Sequence, residues 1–273
     1  NINSNNNNTL FSRLERIISY DLTIKKFLHS CENSLERTKK CIDKFACGRA
    51  YMPEVYTSRD PCSEKVRTAF SMGNMAPFKA GEYETIYYFL DAPSLDNFDY
   101  YDILKSFTVH ADNWMKGHDN FPDGHIMILD IKYFTFRLVT KVNVLHFQKF
   151  IVYLLEAMPV RLKKILLVNS PSYYEKLFAL VKHVLPQDII DIISFHTTLE
   201  GLYSEIDKKY LPKEYGGDAA SLINEHKNWV KIIENDRKTY LNDNMWKADL
   251  TKKPKTNGVD DTMNGSFRTL SID

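Results

Sequence analysis

From His125 to Ile131 the chain reads HIMILDI, with Ile126 and Ile128 on one side of an extended backbone and Met127, Leu129 and Ile131 on the other. A strand buried on both faces has this pattern, as the inner strands of parallel sheets do. Pro122, Asp123 and Gly124 supply a turn before it. The run KILLV at Lys164 to Val168 repeats the pattern, and between the two Leu145 to Met158 (LHFQKFIVYLLEAM) carries apolar residues at helical period. Strand, helix, strand predicts two parallel strands joined by a right-handed crossover.

The same reading extends outward. Residues 1 to 8 are almost all Asn and predict a disordered leader. Helical spacing then predicts three short helices. One carries Leu10, Leu14, Ile17 and Ile18; the next starts at Asp21 with Leu22, Ile24, Phe27 and Leu28. The third, from Ser34 to Phe45, has Ser34 as N-cap and a stripe of Leu35, Cys41, Ile42 and Phe45. Pro53 to Pro61 reads as a connector, and YETIYYFLDA after Gly81 as a strand ended by Pro93. Asn97 to Gly117 predicts a long helix burying Leu104, Phe107, Thr108, Ala111 and Trp114. After the turn Asn169-Ser170-Pro171 comes an apolar helical segment to Ile193, interrupted by Pro186. Then follow a short run Ser194 to Thr197, a helix near Leu199 to Ile206, and a last amphipathic helix over 219 to 241. The apolar segment is surplus to a simple helix-on-sheet core.

Composition narrows the function classes. The 273 residues are 44% hydrophobic, with no apolar run long enough to span a bilayer. Thirty-six basic residues against 35 acidic give a net charge of +1, so no overall field attracts nucleic acid. Cys31, Cys41, Cys47 and Cys62 lack zinc-site spacing and read as reduced thiols, which fits a cytoplasmic location.

Motifs for chemistry are mostly missing. GxxxxGK[ST], GxGxxG and GxSxG do not occur, so phosphate-loop, dinucleotide and nucleophile-elbow chemistry have no support. His110, His118 and His125 are spaced as no known metal site is, and no metal is expected. Asp130, inside the central strand, is expected to find a structural partner, because an unpaired buried carboxylate is costly. Convergent apolar side chains with few polar groups point to binding of a lipophile without turnover.

Three stretches, GHIMILDIKYF at 124 to 134, KKILLVNSP at 163 to 171 and LPKEYGG at 211 to 217, resemble the CRAL-TRIO lipid-binding family, in its tocopherol- and retinaldehyde-carrying branch. The segment from Asp21 to Phe45 is similar to the helical lobe preceding that domain in insect members. The resemblance implies an α/β fold: a helical lobe, then a mostly parallel five-stranded sheet with flanking helices and a helical lid over an apolar pocket. It divides the chain into a leader (1–9), a helical lobe (10–70), the lipid-binding domain (71–218), a C-terminal helix (219–248) and a disordered tail (249–273).

Residue by residue, the resemblance implies a pocket of Leu104, Phe107, Ala111, Met127, Leu129, Phe150, Tyr153, Leu154, Leu162 and Ile165. The lid would be Tyr173, Tyr174, Leu177, Phe178, Leu180 and Val181, meeting cargo when shut and membrane when open. Arg49 and Arg161 match two positions of the basic patch with which family members contact phosphoinositide, with Lys163 nearby, but Asp188 and Ile192 occupy the other two, so weak or absent phosphoinositide selectivity is expected. The expected activity is non-enzymatic carriage of a retinoid, carotenoid, tocopherol, sterol or phospholipid. No cofactor is expected, and the partners would be that ligand, a transient membrane surface and no nucleic acid. The rival expectation is a lipid-sensing module acting through a protein partner.

Overall fold

A computed structural model describes residues 21–92, 95–117, 120–183, 185 and 187–252, except the side chain of Val181. The leader, the helix expected from Leu10, His118, Pro93, Pro186 and the tail from 253 onward lie outside the described residues. Five strands form one sheet in sequential order: β1 (Gly73–Ala80), β2 (Tyr83–Leu90), β3 (Gly124–Asp130), β4 (Leu162–Val168) and β5 (Ile193–His196). β1 and β2 form an antiparallel hairpin around Gly81, which takes φ +64°, and the remaining pairs are parallel. HIMILDI is the central strand, as its two apolar faces predict.

Parallel neighbours in sequential order leave little freedom. The right-handed crossovers that parallel strands adopt put every connecting helix on the same face of the sheet. Those helices are α5 (Tyr100–Gly117), α6 and α7 (Phe136–Val139, Val144–Ala157), and α8 and α9 (Tyr174–Lys182, Gln187–Ile190). Asn143 starts α7 by accepting from the His146 amide at 3.1 Å. The opposite face is covered by α10 (Leu199–Glu205), the segment Leu211–Gly217 and the start of α11 (Leu222–Asn235).

The helices before the sheet are α1 (21–30), α2 (Leu35–Tyr51), α3 (Pro53–Tyr56) and α4 (Glu64–Met72). They share one core with the sheet's own helices: Phe27, Phe45, Met52, Val55 and Tyr56 pack with Met75, Leu104, Phe150 and Tyr153. Ser34 caps α2 as expected, its hydroxyl accepting from the Arg37 amide. Most of the expected stripe packs inward, with Phe45 buried and Cys41 and Ile42 against the core, but its first residue does not. Leu35 is 66% exposed, and the buried side runs through Thr38, Phe45, Cys47 and Arg49. Three further elements are absent from the sequence reading, α4, α6 and β1, and α3 falls in the stretch read as a connector. The last helix is shorter than expected, breaking at Asp236 before α12 (Arg237–Tyr240).

Candidate lipophile-binding face

Cross-strand register assigns every strand side chain to one face of the sheet, because paired residues point the same way. Tyr87, Ile128, Leu166 and Val168 point to the α10 side, and each has no exposed surface. On the crossover-helix side the register aligns Tyr88, Leu129, Leu167 and Phe195, and in the next row Ile86, Met127, Ile165 and Ile193. All but Ile86 are only half-buried. The central apolar rows of the sheet are thus sealed on one face and only half-covered on the other.

The seal on the closed face explains the three motifs. Asp130 closes β3, and burial pushes its carboxyl above the ordinary value, against three donors that pull the other way. These are the Lys132 amide (3.0 Å), the Asn169 side chain (2.7 Å) and the Tyr215 hydroxyl (3.3 Å). HIMILDI, the Asn-Ser-Pro turn and LPKEYGG thus meet at one carboxyl group. Glu214 holds the start of α11, accepting from the Leu222 and Ile223 amides and the Ser221 hydroxyl. Gly217 admits no side chain, since a Cβ there would lie 2.0 Å from the Leu211 carbonyl oxygen. Asp130 therefore has the structural partners expected of it, from an amide, Asn169 and Tyr215.

The expected pocket residues divide into two groups. Phe107, Met127, Leu129, Leu154, Leu162 and Ile165 are half-buried. Phe107 sits edge-on to Tyr88 and Phe150, at 5.6 and 5.9 Å between centroids. Leu104, Ala111, Phe150 and Tyr153 are buried. Tyr153 packs between Phe45 and Tyr56, so its ring joins the helical lobe to α7 and is a core residue. Tyr88, Leu167, Ile193 and Phe195 complete the open face and are missing from the expected set. The alternation in KILLV and the two-residue step from Ile193 to Phe195 are the signals that carry them.

Over β5 lies α8. Tyr174 stacks on Phe195 at 4.2 Å and Phe178 meets the same ring edge-on at 5.2 Å, while Leu177 is 3% exposed. Tyr173 stacks on Phe136 at 5.3 Å. Leu180 is exposed, but its carbonyl, in the last turn of α8, accepts from the buried Gln148 side chain of α7 at 3.3 Å. Phe136 and Leu145 are also exposed.

The phosphoinositide expectation needs correction at Arg49. Its guanidinium, 1% exposed, pairs with Asp112 on α5, which Arg59 also binds at 2.6 Å. The rings of Phe45 and Tyr56 flank it at 4.2 and 4.5 Å, and the Asp112 charge holds Arg49 protonated despite its burial. It is a clamp between the helical lobe and α5, out of reach of a headgroup. Arg161 is half-buried, donating to the His29 carbonyl at 2.8 Å, and Lys163 is exposed.

The buried histidines are engaged structurally. His110 contacts the Ser106 carbonyl at 2.8 Å and His226 at 3.2 Å. His125 accepts from the Arg161 amide at 3.0 Å. Burial depresses their pKa values to about 3 and about 4. Among the described residues no His, Cys, Asp and Glu converge as a metal site. Two polar hollows of about 490 and 320 Å³ flank α4 and include none of the expected pocket residues.

Residues 88–217 match the family model of the CRAL/TRIO domain. The chain carries a CRAL/TRIO domain. That family binds and transfers lipophilic ligands. The human "Alpha-tocopherol transfer protein-like" is 21% identical over 218 residues, covering 79% of this chain and 64% of that protein. The mouse protein of the same name is 34% identical over 76 residues, 28% of this chain and 22% of its own length. Rat "Clavesin-1" is 27% identical over 145 residues, 45% of this chain and 41% of its own. The crystal structure of Sfh5 superposes with a TM-score of 0.47 and 12% identity, covering 80% of this chain and 81% of that one. The CRAL/TRIO match takes in β3 to β5, α5 to α10 and the LPKEYGG segment, so it contains both the closed face and the open one.

Proposed function

We propose that this chain binds one small lipophile between the open sheet face and helices α5, α7 and α8, and carries it between membranes in the cytoplasm without changing it chemically. The observation that carries the reading is the asymmetry of the sheet. Ile128 and Leu166 are fully covered, while Leu129 and Leu167, one residue on in the same strands, are half-exposed. An apolar face left open inside a folded domain is a ligand face. Covering about 300 Å² of ligand there would supply about 7 kcal/mol at roughly 25 cal/mol per Å², before the costs of association.

In this reading α8 is the lid. It lies over β5 through Leu177, Tyr174 and Phe178, and presents Leu180 outward beside the exposed Phe136 and Leu145 for contact with a bilayer. No helix among the described residues is long and apolar enough to cross a membrane, so contact would be at the surface. The test is native purification followed by organic extraction and mass spectrometry. One stoichiometric lipophile per chain is the expected result. An empty protein that takes up none of retinol, tocopherol, cholesterol and phosphatidylcholine from vesicles would overturn the reading.

A further inference from the structure

We infer that Cys31 and Cys41 are an oxidisable pair, a site at which a hydroperoxide closes a reversible disulfide between the end of α1 and α2. Cys31 follows the last residue of α1, and its amide still donates to the Phe27 carbonyl at 3.1 Å. Its own carbonyl accepts from the Ser34 amide at 3.0 Å, and Glu32 and Asn33 take φ of +55° and +59°. The chain therefore reverses within residues 32–34 before α2 begins at Leu35. That tight reversal sets the second turn of α2 against the end of α1, where the Cys41 thiol is in hydrogen-bond contact with the Cys31 thiol. Both residues are free thiols and only half-buried, so a small oxidant reaches them. Cys47, by contrast, is buried, and its thiol donates to the Asp43 carboxylate at 3.5 Å.

The two sulfurs have different parts in the reaction. Burial and the neighbouring Cys31 thiol push the Cys41 pKa up to about 12, against the pull of the Lys44 ammonium, so Cys41 stays protonated near neutral pH. The attacking thiolate is then that of Cys31. Its sulfur takes one oxygen from the hydroperoxide; the O–O bond breaks, water or an alcohol leaves, and the sulfur is oxidised by two electrons to a sulfenic acid. The Cys41 sulfur attacks that centre, the S–S bond forms as the S–O bond breaks, and the departing hydroxide takes the Cys41 proton as water. In the reduced chain Cys41 donates to the Ala157 carbonyl at the end of α7, at 3.5 Å. A disulfide sulfur has no proton to donate, so oxidation exchanges a contact between α2 and α7 for a covalent link between α1 and α2. In a reducing compartment such a bond forms transiently and reports oxidant.

The experiment adds hydrogen peroxide to the folded 273-residue chain, alkylates the remaining thiols and maps tryptic peptides without reduction. Trypsin cuts after Arg37 and Lys40, so the peptides 27–37 and 41–44 stay together only through a disulfide. Expected is that linked pair, with free thiols falling from the four of the reduced chain to Cys47 and Cys62 alone, and full recovery with dithiothreitol. Cys41→Ser removes the second sulfur and is expected to leave Cys31 as a sulfenic acid that dimedone traps, a species the wild type does not accumulate. Should that variant fail to fold, the wild-type map decides alone. Recovery of both peptides separately alkylated would overturn the inference, as would Cys31 joined to Cys47 or Cys62, or a Cys31 sulfenic acid that accumulates equally in wild type and variant.

Discussion

Replacing Asp130 separates two things its carboxyl does: bonding three motifs together and bearing a charge in a buried place. The group is 8% exposed and accepts from Lys132, Asn169 and Tyr215. Asp130→Ala leaves those three donors without their acceptor. At about 1 to 3 kcal/mol for each donor left unsatisfied, discounted for relaxation and water entry, the loss of stability is about 3 kcal/mol. Asp130→Asn keeps an acceptor oxygen and the shape, and should cost about 1 kcal/mol. The pH response distinguishes the charge. Because burial raises the folded carboxyl's pKa above its unfolded value near 3.8, the folded protein holds a proton there that the unfolded chain has released. Stability contributed by this group is therefore greatest at low pH and declines as pH rises through that window, by at most about 1.4 kcal/mol per pH unit. The assay is urea unfolding of wild type and Asp130→Asn between about pH 4 and 7, taking the difference at each pH so that other titrating groups cancel. Wild type should lose ground to the variant as pH rises. A flat difference, or one of opposite sign, would refute the claim that burial outweighs the three donors.

Other outcomes follow from the same contacts. Arg49→Met should destabilise the fold by about 3 kcal/mol, because Asp112 keeps only Arg59, and should leave binding to phosphoinositide vesicles unchanged; both are read by chemical denaturation and liposome sedimentation. His110 and His125 are neutral when folded, with pKa values near 3 and 4, and take up protons on unfolding below 6.5, so each removes about 1.4 kcal/mol per pH unit as pH falls from 6.5 toward its folded value. Thermal unfolding of His110→Gln should show a shallower acid limb than wild type. Gln148→Leu removes the side-chain bond to the Leu180 carbonyl, and hydrogen exchange over residues 174–182 should speed by about tenfold, with exchange elsewhere unchanged.

What the sequence displays and what it hides have the same physical source. β3 and β4 are legible because an inner strand flanked on both sides, sealed on one face and half-covered by helices on the other, carries apolar residues at nearly every position, as Ile126 to Leu129 and Ile165 to Val168 show. β1 is an edge strand paired only to β2, and an edge tolerates Pro77, Asn74 and Lys79, which together erase the strand signature. The open face was half legible. Met127 and Ile165 could be named from the strand pattern, whereas Phe195 lies in a four-residue strand whose register is set only by its bond pattern to β4. Arg49 was misplaced because a charged residue on a helix reads as surface, and its partner Asp112 lies 63 residues away on another helix. The packing of Tyr153 between Phe45 and Tyr56 was not legible, because an aromatic on a helix does not reveal which neighbouring helix it packs against.

The sequential strand order ties the rigidity of one face to the freedom of the other. All crossover helices fall on a single side, and the chain must return over the opposite side after β5, where α10, Tyr215 and Leu222 close it. That return is stapled by Asp130, Glu214 and a glycine with no room for a side chain. The sheet can thus stay fixed from behind while its front is covered unevenly. The eighteen-residue α5 and fourteen-residue α7 bury Met75, Ile86 and Phe150, but the nine-residue α8 reaches only Phe195 and its surroundings. Lengthening α8, or giving it more buried side chains like Leu177, would seal the front as the back is sealed and leave no face for cargo. On the proposed reading, a short helix over an apolar sheet is therefore what binding would require in this architecture, and the closed face behind it supplies stability that does not depend on that helix.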